Sequence, residues 1–204
     1  MKNNQHETLR ICLKSILAGF MIGLGCIAYC YTSTISTVLG SFLFSLGLLS
    51  VISQEHMLYT GKIGYADKTM ITKLLLIYAL NILSIALFCW LFTYTRIAPD
   101  IVNKAVEITT VKRNDSLLSL LILGIGCGMM MFLAVDNYRK SSHPIFVMLP
   151  IMFFILCGFE HCIADAGYFA LAKSGLSVDL VLLILTVTVG NSVGSILLHR
   201  MNNR

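Results

Sequence analysis

Charge is scarce in this sequence: only 12% of its 204 residues are charged, whereas 57% are hydrophobic. Soluble domains carry roughly 25% charged residues. This composition cannot cover a water-exposed surface, so lipid must surround most of the molecule. Proline is also rare, with three residues, and no Ser- or Gly-rich linker divides the chain. We therefore predict one transmembrane domain that spans residues 1–204.

The sequence lacks several motifs of enzymes and of metal sites. None of the seven cysteines forms a Cys-x-x-Cys pair, and most lie in apolar runs, where a thiol acts as a small hydrophobe. A His-Glu-x-x-His zinc motif, a Walker loop and a Rossmann glycine pattern are absent. The basic residues are scattered without aromatic partners, which argues against nucleic acid as a partner. We expect neither an enzyme nor a bound cofactor or metal.

Six hydrophobic stretches approach or exceed the ~20 residues that a membrane-spanning helix needs. They are Ser15–Tyr31, Thr32–Gln54, Leu74–Thr95, Ser116–Val135, Ser141–Phe159 and Leu180–Leu198. They predict an all-α membrane protein with six transmembrane helices. The first stretch has no small-residue cleavage site, so we interpret it as a retained helix rather than a signal peptide.

Lysine and arginine are distributed unevenly between alternate connecting segments. If the N-terminus is inside, ten fall on inside segments and five on outside segments, most of the latter in a loop over residues 96–113. Positively charged connections are favoured on the cytoplasmic side. We therefore predict cytoplasmic termini and a location in the cell membrane, which in a bacterium is the inner membrane.

The two halves of the chain, about residues 10–95 and about residues 116–199, repeat one another. An offset of 105 residues pairs two glycines and a Glu-His dipeptide, and an offset of 110 pairs two asparagines. The pairs are Gly19 with Gly124, Gly23 with Gly128, Glu55 with Glu160, His56 with His161, and Asn81 with Asn191. Because each half has three spans, the second half must be inverted, and a permeation path is expected between the halves near the midplane.

Polar residues interrupt the second and fifth stretches. In the fifth, Gly158, a Glu-His dipeptide and Asp165 follow an apolar run of about 15 residues, which is too short to cross the membrane. We predict that this helix stops and restarts there, and that the new N-terminus offers N–H groups to an anion. The alternative is that the dipeptide marks the outer end of the helix. For residues 55–56 in the second stretch, a break and a helix end are equally compatible with the sequence.

The two Glu-His dipeptides also raise a metal-binding alternative, in which residues 55–56 and 160–161 meet at one site. Imidazole and carboxylate ligands suit Zn²⁺, Mn²⁺ or Fe²⁺. However, adjacent residues on a helix point about 100° apart, so one dipeptide rarely supplies two ligands to one ion. A metal-cation carrier or an intramembrane metalloenzyme remains the alternative to an anion channel.

Residues 147–165, with the core Gly-Phe-Glu-His-x-Ile-Ala, resemble the fifth-helix signature of the formate/nitrite transporter family. Residues 44–48 and 58–61 resemble its second helix, residues 18–23 its first and residues 189–194 its sixth. The resemblance covers nearly the whole chain. It implies an aquaporin-like protomer with interrupted second and fifth helices, assembled as a homopentamer. Members of this family conduct small monovalent anions of weak acids, such as formate, nitrite and hydrosulfide.

The resemblance also implies roles for eight candidate pore residues. These are His161 as the central histidine, Glu160 as its neighbour, Thr60 as the facing threonine, Phe44, Leu48 and Phe154 as apolar constrictions, Lys112 as a residue that attracts anions, and Asn191 as a polar residue lining the pore.

Two mechanisms are open for a histidine at this position. An unperturbed imidazole titrates near neutral pH and can pass a proton to the anion. The resulting neutral acid crosses an apolar constriction at a lower cost than an ion. Burial could instead keep the ring neutral, so that it acts only as a hydrogen-bond donor.

Overall fold

The computed structural model describes residues 2–202, with the side chains of residues 5–202; Arg204, which contributes to the charge balance above, lies outside this range. The described chain is helical and contains no strand. Its α-helices are α1 (Lys2–Thr32), α2 (Thr37–Ser53), α3 (Tyr59–Lys62), α4 (Ile71–Phe92), α5 (Ala98–Arg113), α6 (Leu117–Ser141), α7 (Ile145–Leu156), α8 (Cys162–Leu171) and α9 (Val178–Asn202). Two single 3₁₀ turns, Ile63–Tyr65 and Lys68–Met70, connect α3 to α4. The prediction of an all-α protein is confirmed.

Four helical segments of the described chain are long and apolar enough to cross a membrane: Gln5–Thr32, Lys68–Phe92, Leu117–Ser141 and Val178–Asn202. Large apolar side chains on these helices point outward. Leu75, Leu83 and Leu118 are 62%, 66% and 67% exposed. Such a surface is unfavourable in water and is the surface that a lipid environment accepts.

Close helix packing depends on small residues. Helix α6 packs along α9, and α1 packs along both α2 and α4. A Cβ atom on Gly190 of α9 would lie 2.6 Å from the carbonyl oxygen of Leu121 on α6. Only glycine allows the two backbones to approach this closely, as is common between helices in membranes.

Several predicted boundaries are corrected by local capping. The second stretch begins at Thr37 rather than Thr32, because the Ser36 side chain accepts a hydrogen bond from the Leu39 N–H and caps α2. Helix α6 continues to Ser141, where Ser142 adopts a left-handed conformation with φ of 55°. The fifth stretch therefore begins at Ile145 rather than Ser141.

The predicted loop over residues 96–113 is instead the helix α5. Pro99 lies in its first turn together with Asp100, and Lys112 and Arg113 lie in its last turn. Proline is tolerated at this end because the first N–H groups have no intrahelical partner. The charges complement the helix dipole at both ends. Five charged residues thus occupy a helix that the hydrophobicity pattern does not reveal.

Both interrupted stretches contain a real gap between two helices. The first break (residues 54–58) separates α2 from α3, and the second break (residues 157–161) separates α7 from α8. The second residue of each break is left-handed, Glu55 with φ of 54° and Gly158 with φ of 70°. These residues end their helices in the Schellman geometry.

The same hydrogen bonds recur at the two breaks. The N–H of His56 donates to the Val51 carbonyl at 2.8 Å, and the N–H of Phe159 donates to the Phe154 carbonyl at 2.9 Å. An offset of 103 residues relates both donors and both acceptors. The predicted offset of 105 is therefore wrong at this point, because Glu55 and His56 correspond to Gly158 and Phe159 and not to the second Glu-His pair.

Candidate functional site

The side chain of Asn81 in α4 forms hydrogen bonds to the backbone of the first break. Its side-chain Nδ2 donates to the carbonyl oxygens of Met57 at 2.9 Å and Ser15 at 2.8 Å. Its Oδ1 accepts from the N–H of Tyr59 at 2.9 Å. One amide therefore pairs two backbone groups that the interrupted helix cannot pair itself, and it also bonds to the carbonyl of Ser15 in α1.

Asn191 of α9 does the same at the second break. Its Nδ2 donates to the carbonyl oxygens of Glu160 at 2.8 Å and Gly124 at 2.9 Å, and its Oδ1 accepts from the N–H of Cys162 at 3.0 Å. Asn191 is 0% exposed. Its side-chain amide is thus hydrogen-bonded to the backbone, and its role in lining a pore stays a prediction.

Thr60 and His161 meet where the two breaks face each other. Thr60 Oγ1 and His161 Nε2 are 2.9 Å apart, and both residues are buried. His161 is also the N-cap of α8, because its Nδ1 accepts the N–H of Ala164 at 3.1 Å. An accepting Nδ1 carries no proton. The hydrogen-bond network therefore assigns the neutral tautomer, in which Nε2–H donates to Thr60.

Aromatic rings pack against one side of His161. The Phe154 ring stacks on His161, with centroids 6.0 Å apart and planes 15° apart. Phe44 meets Phe154 edge to face at 6.2 Å. The two phenylalanines predicted as constrictions therefore lie together beside the imidazole and make its surroundings apolar.

A cavity of about 290 Å³, here called the histidine cavity, opens on this side of the molecule. Its lining includes Phe44, Phe154, Lys112, Glu160, His161 and Asp165. Five of these six were predicted from the sequence as site residues. Apolar rings thus share the cavity wall with three charged side chains and the imidazole.

Lys112 is not a free cation in this cavity. Its Nζ forms an ion pair with Glu160, and lies 3.0 Å from Asp165 Oδ1. It also lies over the Tyr168 ring, 5.9 Å from the centroid. The interpretation of Lys112 as a residue that attracts anions must therefore include two carboxyl groups that compete for its charge.

Asp165 belongs to the site but was not among the predicted site residues. It follows His161 by four positions, and residues at this spacing lie on one face of a helix. Asp165 is 1% exposed. The spacing from His161 is the sequence feature that points to it, whereas its ion pair with Lys112 depends on the packing of α5 against α8.

A second cavity, of about 910 Å³ and here called the basic cavity, lies next to the first break. Its basic lining residues are Arg10, Lys14, Lys62, Lys73 and Arg139. Two acidic residues also line it, and each forms an ion pair: Lys73 with Glu7 at 2.7 Å and Lys14 with Glu55 at 3.8 Å. The basic side chains outnumber the acidic ones, which favours anions.

Glu55 and His56 line the basic cavity, whereas Glu160 and His161 line the histidine cavity. The two Glu-His pairs therefore do not form the shared metal site of the alternative hypothesis. Within residues 2–202, no cluster of three His, Cys, Asp or Glu residues is arranged to hold a metal ion.

Leu48 and Thr60 occupy the layer between the two cavities. Both are 1% exposed and line neither cavity. One turn before Leu48, Phe44 lines the histidine cavity, and three residues after it, Val51 lines the basic cavity. A buried layer thus separates the two cavities.

These helices and cavities define a multi-pass membrane transport protein. A sequence model of the formate/nitrite transporter family matches residues 1–202. The chain belongs to this family.

Two solved structures share the fold. One is a pentameric formate channel with formate bound, at a TM-score of 0.85 and 20% sequence identity, covering 98% of this chain and 97% of that chain. The other is an ion channel of the same family, at a TM-score of 0.84 and 20% identity, covering 98% of this chain and 91% of that chain. No curated protein sequence gives a significant match.

Proposed function

We propose that this protein is a channel for small monovalent anions of weak acids, with formate, nitrite and hydrosulfide as candidate substrates. The hydrogen bond between Thr60 and His161 carries the proposal. It joins the two helix breaks at the layer between the two cavities, so a solute that moves from one cavity to the other must pass this pair.

The proposed arrangement has six membrane crossings. Four are the long helices, and the α2–α3 and α7–α8 pairs are the two interrupted crossings. Two three-crossing halves of opposite orientation account for the recurrence of the same break and the same asparagine bonds in each half. We further propose a homopentamer with one path per protomer and with both termini in the cytoplasm. A solved structure with the same fold is described as a pentameric formate channel.

The apolar layer favours a neutral solute over an ion. Phe44, Leu48 and Phe154 offer no hydrogen bonds, and a bare anion pays a high desolvation cost among such side chains. His161 is proposed to donate its Nε2–H to the anion in place of Thr60. Because Nδ1 is used as the helix cap, forming an imidazolium would break the bond from Ala164. This geometry favours the donor role over the proton-relay role for His161.

Flux into proteoliposomes tests the proposal. Purified protein is reconstituted, and formate, nitrite and hydrosulfide are offered separately; we expect rapid passive uptake of at least one. Folded protein that passes none of the three would contradict the anion-channel function. In His161→Asn, asparagine can still cap α8, so we expect a roughly tenfold slower flux with an unchanged pH profile, as removal of about 1.4 kcal/mol of stabilisation predicts. A flattened pH profile would instead assign the proton relay to His161.

A further inference from the structure

The cluster of Lys112, Glu160 and Asp165 in the histidine cavity contains more acidic groups than basic groups. One ammonium group faces two carboxyl groups, and the carboxyl groups also interact with each other. Fully ionised, the buried cluster would carry a net charge of −1. Two carboxylates that share one site do not both ionise readily, and a buried charge without a partner is costly. One bound proton makes the cluster neutral.

The two oxygens of Asp165 differ in their surroundings. Oδ1 lies 3.0 Å from the Lys112 Nζ. Oδ2 is buried, and within the described part of the chain no hydrogen-bond partner lies within reach of it. Asp165 also lines the histidine cavity. Oδ2 is therefore the carboxyl oxygen of this cluster that is unpartnered and can carry a proton, on a residue that belongs to the cavity lining.

No other group around Asp165 is suited to supply a proton near neutral pH. The titratable groups that face it are Cys26 and Tyr29 of α1, Tyr78 of α4, Lys112 of α5, Cys127 of α6, Glu160 and His161 of the second break, and Cys162 and Tyr168 of α8. Thiols, phenols and an ammonium group release protons only in alkaline solution. Glu160 is paired with Lys112, and neutral His161 keeps its single ring proton on Nε2.

We propose that Asp165 is a proton-binding residue that protonates the permeating anion in the histidine cavity. This inference rests on the proposed function. In this step the O–H bond of the Asp165 carboxyl group breaks, and the proton forms a new bond to the basic atom of the anion. The neutral acid then crosses the apolar layer, and Lys112 stabilises the carboxylate that is left. Solvent in the cavity returns a proton to Asp165, so one proton travels with each anion.

The substitution Asp165→Asn tests this step, because asparagine has nearly the same shape but no transferable proton. Formate flux through the unmodified protein is expected to fall on the order of tenfold per pH unit once Asp165 titrates, and Asp165→Asn is expected to abolish this dependence. Asp165→Glu, which restores a carboxyl group, should recover part of it. Asp100→Asn, at an exposed position in α5, is the control and should keep the full profile. An unchanged profile in Asp165→Asn overturns the inference.

The two proposals fail in different ways. If the unmodified protein passes no anion, the proposed function fails. If it passes formate and Asp165→Asn keeps the pH profile, only the role of Asp165 fails. If Asp165→Asn does not fold, infrared spectroscopy of the unmodified protein with isotope-labelled aspartate decides. We expect the carbonyl band of a protonated, buried aspartic acid at neutral pH, and its absence would overturn the inference.

Discussion

The two helix breaks share a backbone and differ in chemistry. Each has a left-handed residue at its second position, closes its helix with the same pair of hydrogen bonds and is held by one asparagine from a neighbouring helix. The side chains differ. At the first break, Glu55 is 79% exposed and faces Lys14 across 3.8 Å, whereas at the second break Glu160 is buried against Lys112. The repeated backbone is thus a scaffold, and the chemistry is specific to one copy.

The two breaks differ most at the N-cap residue of the helix that follows each break. Leu58 begins α3 and provides no side-chain cap, whereas His161 begins α8 and caps it through Nδ1. Thr60, which lies in α3 two positions after Leu58, is the partner of that histidine. One copy therefore places the imidazole and the other supports it, which a symmetric pair of breaks would not do.

The largest effect is expected from the feature that the two breaks share. Asn81→Ala and Asn191→Ala each leave two backbone groups of a break without a partner, one carbonyl and one N–H, and each such group costs roughly 1–3 kcal/mol. We expect both variants to lose several kcal/mol of folding stability, by similar amounts, in thermal unfolding measured in detergent. The Asn→Asp changes, which place a buried carboxylate oxygen against two carbonyl oxygens, should cost at least as much. A large loss at only one break would mean that the two scaffolds are not equivalent.

A somewhat smaller effect is expected from the feature that distinguishes them. Lys112→Met leaves two buried carboxyl groups without their cation, and breaking a buried pair in this way costs about 3–5 kcal/mol. Lys14→Met removes a pair whose acid is mostly exposed, which is worth about 0–1 kcal/mol. The same unfolding measurement compares them. Equal losses in the two variants would refute the asymmetry of charge burial.

The smallest effect concerns the left-handed residue of each break. A Cβ at Gly158 meets no atom within 4 Å, so Gly158→Ala is expected to cost only the backbone strain, about 1–2 kcal/mol. Glu55→Gly relieves the corresponding strain and should leave the melting temperature unchanged or slightly higher. Gly175→Ala is the matched control, since its Cβ also meets nothing within 4 Å and it has no positive φ. If Gly158→Ala and Gly175→Ala behave alike, the left-handed conformation is not what limits the second break.

The local sequence predicted most of the helices but not the correct alignment of the two halves. Apolar runs located the long helices because hydrophobicity is read along the chain. The polar dipeptide after Gly158 indicated the second break. The Glu-His dipeptide at residues 55–56 gave a wrong alignment of the two halves. At an offset of 105 the residue types match, but the residues with matching hydrogen bonds are related by an offset of 103. Helix α5 was missed because it is amphipathic and charged rather than apolar.

By itself, the sequence determined that the chain is helical, faces lipid and is interrupted in its fifth stretch, since composition and helix-breaking residues act locally. Only the tertiary structure decided which groups meet. Thr60 and His161 are 101 positions apart, and Lys112 and Glu160 are 48 positions apart. Their contacts depend on the distance and the rotation between packed helices. Small residues such as Gly190 permit close packing, but no single segment of the sequence encodes which helices meet or at what rotation. For the same reason, the sequence alone did not reveal that the Asn191 side chain bonds to the backbone of the second break.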